Sequence, residues 1–208
     1  MPAPPAMERI PLFPLSYGVF PDGVLHLQIF EVRYLDLIRR CHREQTPFGV
    51  AWLEQGNEVA VPGQVPRLHT VGTLAHIDTL ETLQAALLRV RCLGGRRFTL
   101  GATETGPYGV WYGQVHYLPE DVPTPIPSQL QPLANRLGKG IAQAQADKRL
   151  SELPLQAPYR LDECGWVANR WAELLPLSVE EKLTLLAVAD PLARLAQVSQ
   201  YLGAGAGD

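Results

Sequence analysis

The distribution of proline constrains this chain more than any other feature. Five of its 19 prolines fall in one short stretch, PEDVPTPIPSQLQP (119–132). Proline fixes φ, removes a backbone donor and pushes its preceding residue toward extended geometry. Neither a helix interior nor a central strand tolerates that density, so residues 119–127 are expected to form a semi-rigid linker. Six more prolines lie within the first 21 residues. There they suit an extended edge that resists unwanted strand pairing.

The chain has a different texture on each side of the linker. Residues 8–118 read as a β domain. FGVAWL (48–53) is a short apolar run of the kind that builds a central strand. Leu88, Val90 and Cys92 alternate with Arg89 and Arg91, the period-2 pattern of a half-buried strand. EQGNE (54–58) is turn chemistry. Gly94-Gly95 reads as the two-residue turn of a hairpin leading into RRFTLG. In YGVWYGQVHYL, Trp111, Val115 and Tyr117 share one face. A single helix interrupts these strands at 31–44. Tyr34, Leu37, Ile38 and Cys41 recur there at helical spacing, while Arg33, Asp36, Arg40 and Arg43 stay outside.

Residues 128–203 read as helical. Ser178 and Glu181 have capping-box spacing; so do Ser128 and Gln131, with Pro132 weakening the second case. Asp190-Pro191 reads as an N-cap followed by proline at the first helical position. Trp166, Val167, Trp171, Leu174 and Leu175 form one apolar face. Leu192, Leu195, Ala196 and Leu202 form another. Residues 1–7 read as a loose extension, with Met7 a second candidate start, and 204–208 as a flexible tail. The expected fold class is α+β: a bent, mostly antiparallel β-sheet or pseudo-barrel with one inserted helix, followed by a small α-helical bundle.

Composition removes several alternatives. Hydrophobic residues make up 46% of the chain, enough for a packed core and too many for a disordered protein. No run of 18 uncharged apolar residues is present, so no spanning helix is expected. The N-terminus lacks the basic start and apolar run of a secretory signal. Three scattered cysteines, Cys41, Cys92 and Cys164, fit buried thiols in a reducing compartment, so a cytoplasmic location is expected. The formal charge is −3, and residues 1–118 carry ten Arg, no Lys and ten acidic residues. Without a basic stripe, nucleic acid is not an expected partner.

Chemistry-bearing motifs are sparse. Leu137-Gly138-Lys139-Gly140 lacks the spacing and the Ser/Thr of a phosphate-binding loop. No G-x-S-x-G nucleophile elbow occurs. Cys41 and His42 are neighbours, which on a helix point about 100° apart, so they read as a buried thiol beside an exposed imidazole. His69 and His76 are the nearest histidine pair, without metal-ligand spacing. The carboxylate pairs Glu120-Asp121 and Glu180-Glu181 read as a linker feature and as a helix opening suited to the macrodipole. No catalytic residue, metal or cofactor is expected, which favours a binding role.

A longer pattern then carries a resemblance. Ile10-Pro11-Leu12-Phe13-Pro14-Leu15, Phe20-Pro21 and Leu27-Gln28-Ile29-Phe30-Glu31-Val32-Arg33-Tyr34 resemble the opening of the N-terminal substrate-binding domain of Lon proteases. Phe48-Gly49-Val50, Gln55-Gly56-Asn57-Glu58-Val59, Val71-Gly72-Thr73-Leu74-Ala75 and Arg97-Phe98 continue it. Asn169-Arg170-Trp171-Ala172-Glu173-Leu174-Leu175-Pro176-Leu177 and Asp190-Pro191-Leu192-Ala193-Arg194-Leu195 are similar to the helical end of stand-alone bacterial members. AWLEQG and LGGRRF depart from the usual pattern.

The resemblance spans roughly residues 8–203. It implies a β domain of the pseudouridine-synthase-associated (PUA-like) type with a helical subdomain, in a region that engages unfolded or damaged proteins. No ATPase or peptidase module is recognisable in the 208 residues, so an ATP-independent binding module is expected, acting as an adaptor or regulator in protein quality control. Its expected partners are unfolded or partly folded polypeptides and a protease or chaperone, with no membrane. The motif positions Phe30, Glu31, Arg33, Tyr34 and Arg97 are the candidate ligand-binding residues. A structural role competes with that reading: Phe30 and Tyr34 packing on the sheet at i, i+4, and Glu31 pairing with Arg33 or Arg97. An RNA-binding PUA-like protein and an unrecognised hydrolase are the alternatives.

Overall fold

The structure, a computed structural model, describes residues 7–59, 61 and 63–204. These fall into two compact units. One comprises the described residues up to Val19 together with Leu25–Leu118; the other comprises Phe20–Val24 together with those from Pro119 onward.

The first unit is built on six strands: β1 (Glu8–Leu15), β2 (Val24–Ile29), β3 (Phe48–Gln55), β4 (Arg67–Gln84), β5 (Leu87–Thr105) and β6 (Trp111–Tyr117). Their order is β2-β5-β4-β3-β1-β6, and β5 also pairs with β6, which closes the sheet on itself. β1 and β3 run parallel. The pairs β1–β6, β3–β4, β4–β5 and β5–β6 are antiparallel. Closure depends on the length of β5, which pairs with β4 along Leu87–Thr99 and with β6 from Phe98 onward. β2 lies outside the closed ring, with β5 its single neighbour among the described residues.

The expected Gly94-Gly95 turn does not form. β5 runs straight through both glycines. Thr73 pairs with Arg97 and Ala75 with Gly94, so three steps on β5 oppose two on β4 and the strand bulges. A Cβ on Gly95 would meet the His76 imidazole at 2.7 Å. The glycine there makes room for a neighbouring side chain rather than turning the chain. The real hairpin turn is Ala85-Ala86, because Gln84 pairs with Leu87. Alanine carries none of the turn chemistry that marks such a position in a sequence.

Helix α1 (Val32–Glu44) buries Tyr34, Leu35, Leu37, Ile38 and Cys41, and Gln45 closes it at φ 54° in the left-handed region. Its buried face joins Phe13, Phe48, Val50 and Val90 in one core, where the rings of Phe13 and Tyr34 stack 4.1 Å apart. Leu12, Ala51, Phe98 and Val115 belong to a second core. β1 and β3 therefore feed apolar side chains to both of their faces, which is why FGVAWL reads as a continuous run instead of an alternation. Phe30 departs from the expected helix packing. It precedes the Glu31 N-cap and stands 56% exposed.

The second unit holds α2 (Gln131–Ala146), α3 (Cys164–Leu174), α4 (Val179–Ala187) and α5 (Pro191–Ala204). The capping box on α4 forms in full: Glu181 N–H donates to Ser178 Oγ at 3.2 Å and Ser178 N–H to Glu181 Oε2 at 2.8 Å. Leu192 N–H donates to Asp190 Oδ1 at 3.1 Å, so Asp190 caps α5. The Ser128 box does not form. Ser128–Leu130 is a 3-10 turn, and α2 starts at Gln131 with no side-chain cap and proline in its first turn, where a missing donor costs nothing. Residues 119–127 form no helix or strand, with one bridge from Pro125 to Glu163.

Two buried arginines organise this unit. Every residue of α3 from Cys164 to Ala172 is buried, Asn169 and Arg170 included. On α5 the buried side chains include Arg194, Leu195 and Val198, while Leu192, expected on the apolar face, is exposed. Arg194 is fully buried and donates to Asp121 (2.5 and 2.9 Å), Asn169 Oδ1 (3.0 Å) and Val188 O (2.6 Å). The segment Phe20–Val24 is held in the same way. Phe20 N–H donates to Glu173 Oε1 at 2.9 Å and Arg170 Nη2 to Pro21 O at 2.8 Å. Arg160 pairs with Asp22, and Val24 N–H donates to Pro154 O at 3.1 Å. Among the described residues, no helix is long and apolar enough to cross a membrane.

Candidate functional site

The site is built where α1 begins. Extended β2 ends at Ile29, Phe30 and Glu31 turn the chain, and Arg33 emerges in the first turn of α1. Arg33 ties three segments together. Its Nη2 pairs with Glu31 Oε2 at 3.0 Å, its Nη1 donates to Gly109 O at 3.1 Å and its Nη2 reaches Glu58 O at 3.4 Å. The guanidinium also lies 4.5 Å over the ring centroid of Tyr34. A planar fork with five donors can serve several acceptors at once, which a lysine cannot. The β2–α1 junction, the β3–β4 loop and the β5–β6 loop are thereby held in one arrangement.

Two clefts flank this knot. One, of about 610 Å³ and open to solvent, is lined by Pro14, Arg33, Asn57, Gln64 and Trp111 among others. The second, about 450 Å³, lies between β1 and β2 and is lined by Phe13, Leu15, Leu27, Ile29, Phe30 and Tyr34, with Glu31 and Glu58 at its border. Glu58 and Val59 belong to both. Glu58 is oriented by Ser16, whose N–H donates to Oε1 at 2.7 Å and whose hydroxyl donates to the same oxygen.

Apolar side chains stand exposed around these clefts. Tyr17, Phe30, Val59 and Val61 line one cleft or the other, with Val32 beside Glu31 and Val65 in the β3–β4 loop. Tyr108, the residue before Gly109, is 88% exposed and sits at φ 59°. A tyrosine in the left-handed region carries a strain of about 1 kcal/mol or more. Exposed apolar groups grouped in this way mark an interaction surface more than scattered single ones do.

Four of the five motif residues come together here: Phe30, Glu31, Arg33 and Tyr34. Arg97 is buried in β5 opposite Thr73 and lines neither cleft. Tyr34 is only 1% exposed, and its hydroxyl finds no hydrogen-bond partner among the described residues. Burial pushes its ionisation well above the usual phenol range. Sequence reasoning missed Tyr17, Val61, Tyr108 and Trp111 as site residues. The available signal was a large apolar residue inside a turn-rich segment, as in Ser16-Tyr17-Gly18 and Tyr108-Gly109.

The second unit carries its own groove, about 850 Å³ and open to solvent. It lies between α2, the turn after it and α3, and Leu137, Ile141, Leu153, Leu155, Trp171 and Leu174 line it. Arg136 lies 5.6 Å over the Trp171 ring at its border. Neither unit presents an activated thiol. Burial raises all three cysteines, Cys92 up to about 12, so they stay protonated at neutral pH. Among the described residues, no group of three His, Cys, Asp or Glu side chains is placed to hold a metal ion.

The first unit is a closed, bent β-sheet packed on one helix, the second holds four helices, and each presents grooves on its surface. The fold is that of a Lon N-terminal domain protein from Xanthomonas campestris: TM-score 0.72, 30% identity, covering 93% of this chain and 98% of that one. The N-terminal domain of a Mycobacterium avium complex Lon protease has the same fold at 17% identity, with a TM-score of 0.61 and coverage of 93% and 97%. The sequence matches the family described as the ATP-dependent protease La (LON) substrate-binding domain over residues 9–203, and the chain belongs to that family. No curated protein matches the chain.

Proposed function

We propose that this protein is a non-enzymatic polypeptide-binding module of the cytoplasm. It takes up exposed apolar segments of unfolded or partly folded proteins and presents them to a protease or chaperone. The surface that does this is the pair of clefts around Arg33. One observation carries the reading: Tyr17, Phe30, Val59 and Val61 stand exposed around clefts whose walls are fixed by an arginine bonded to three separate segments. A rigid scaffold presenting several apolar anchors matches segments that differ in sequence but share apolar character. Membership in a substrate-binding-domain family supports the same reading.

The test compares reduced, carboxymethylated α-lactalbumin with its native form, titrated against the purified protein. The unfolded form binds and the native form does not. The double variant Phe30→Ser/Val59→Ser loses at least tenfold in affinity while its melting temperature stays put. Equal binding of native and unfolded protein, or a double variant that binds normally, overturns the proposal.

A further inference from the structure

Within the first unit, the sheet has an open seam. β6 leaves β1 at Leu12, its last paired residue, while Phe13–Leu15 pairs on its other side with β3. β2 has β5 as its single neighbour among the described residues. The 450 Å³ cleft lies between these two edges, lined from β1 by Phe13 and Leu15 and from β2 by Leu27, Gln28 and Ile29.

Which backbone groups of β2 face the seam follows from a partner outside the sheet. His26 O accepts a long 3.4 Å contact from the Tyr17 hydroxyl, which lies outside the sheet. In a strand the N–H and C=O of one residue point the same way and alternate with the next. His26 and Gln28 therefore turn outward, and Leu25, Leu27 and Ile29 turn toward β5. The side chains of His26 and Gln28 are exposed, while Leu25, Leu27 and Ile29 are buried. The outward edge of β2 carries no second strand among the described residues, and such an edge is a template for another strand.

Two further observations define what would fit. Tyr34 lines this cleft, is 1% exposed, and its hydroxyl has no partner among the described residues. The charged side chains lining the cleft are Glu31 and Glu58, and no basic residue lines it. The cleft is thus apolar, edged by the outward backbone of β2, with Glu58 and the Arg33-paired Glu31 at one end.

We infer that the client segment binds extended, as an added strand on the outward edge of β2, with apolar side chains at alternate positions in the cleft and a lysine or arginine beside Glu58. This rests on the polypeptide-binding reading above and narrows it to one mode of recognition. Main-chain hydrogen bonds supply affinity independent of sequence, and alternate side chains supply selection.

The experiment uses the acetylated, amidated peptide Lys-(Val-Thr)4-Lys with the full chain. Two derivatives carry N-methyl groups, one on the valines and one on the threonines. One derivative binds at least tenfold more weakly than the parent and the other within about twofold, because only alternate N–H groups face β2. Amide exchange slows at His26 and Gln28 on binding, and replacing both lysines by glutamate weakens binding at least tenfold. Equal binding by both methylated forms, or unchanged exchange at His26 and Gln28, overturns strand addition and leaves polypeptide binding standing. Failure of the parent peptide while carboxymethylated α-lactalbumin binds also overturns it. Failure of both ligands overturns the broader reading as well.

Discussion

Arg170 and Glu173 meet 2.9 Å apart, one turn from each other on α3, with both side chains sealed from solvent. Glu173 also holds the Phe20 amide, so the pair anchors Phe20–Val24 within the second unit. Burial raises the Glu173 carboxyl to about 7, against the pull of Arg170, the Phe20 N–H and Lys182. The folded state thus holds a proton on Glu173 that the unfolded chain releases near 4.5. This contribution to stability is complete below the unfolded value and disappears as pH rises through about 7. The stability advantage of the wild type over Glu173→Gln therefore shrinks by about 3 kcal/mol between pH 4.5 and pH 7.5. Urea denaturation at both pH values measures it; a constant difference refutes the assignment.

Two glycine-to-alanine changes should move stability in opposite directions. A Cβ on Gly72 would lie 2.5 Å from the Phe98 ring and 2.5 Å from the Val50 carbonyl, within the closed sheet. Backbone cannot yield there without disturbing the β3–β4 ladder, so Gly72→Ala costs about 1–3 kcal/mol. Gly140 sits in the interior of α2 with nothing within 4 Å of its would-be Cβ. Gly140→Ala gains up to about 1 kcal/mol through helix propensity. Melting temperatures of the two variants decide the matter, and like signs would contradict it.

The Ser178 cap offers a local check on α4. Ser178→Ala removes the acceptor of the Glu181 amide and half of the reciprocal box. The expected loss is about 1 kcal/mol by chemical denaturation. Ser128→Ala should cost much less, since Ser128 makes no capping bond.

These contrasts show what was readable in the sequence. α1, β3 and the Ser178 box were legible because each is decided within a few residues by periodicity or capping chemistry. The Ala85-Ala86 turn was not, since its residues carry no turn signal and Gly94-Gly95, which do, serve a bulge. Arg194 with Asp121 and Arg170 with Pro21 were invisible for another reason: their partners lie 73 and 149 residues away. The site divides along the same line. Phe30, Glu31, Arg33 and Tyr34 sit in one contiguous string, while Glu58 and Gly109 join them only through the three-way grip of Arg33.

That grip is testable. Arg33→Ala frees the Gly109 and Glu58 carbonyls and removes the Arg33–Glu31 ion pair. The cost to stability is about 1–3 kcal/mol, in the range of hydrogen bonds to a charged group. Amide exchange should accelerate at Tyr108–Val110 and near Glu58, with α2–α5 unchanged. Arg33→Lys restores the charge but not the fork, so it recovers less than half of the loss.

Tyr34→Phe separates packing from recognition. The ring stacks on Phe13 at 4.1 Å, and phenylalanine keeps that contact. The hydroxyl is buried and unpartnered among the described residues, so its removal relieves a desolvation cost. The free protein should be as stable as the wild type or up to about 1 kcal/mol more so. If a bound segment supplies the missing partner, the same variant binds the Lys-(Val-Thr)4-Lys peptide about threefold to tenfold more weakly, as loss of one hydrogen bond predicts. A stabilised protein with unchanged peptide affinity would assign the hydroxyl to the core alone and remove Tyr34 from the binding surface.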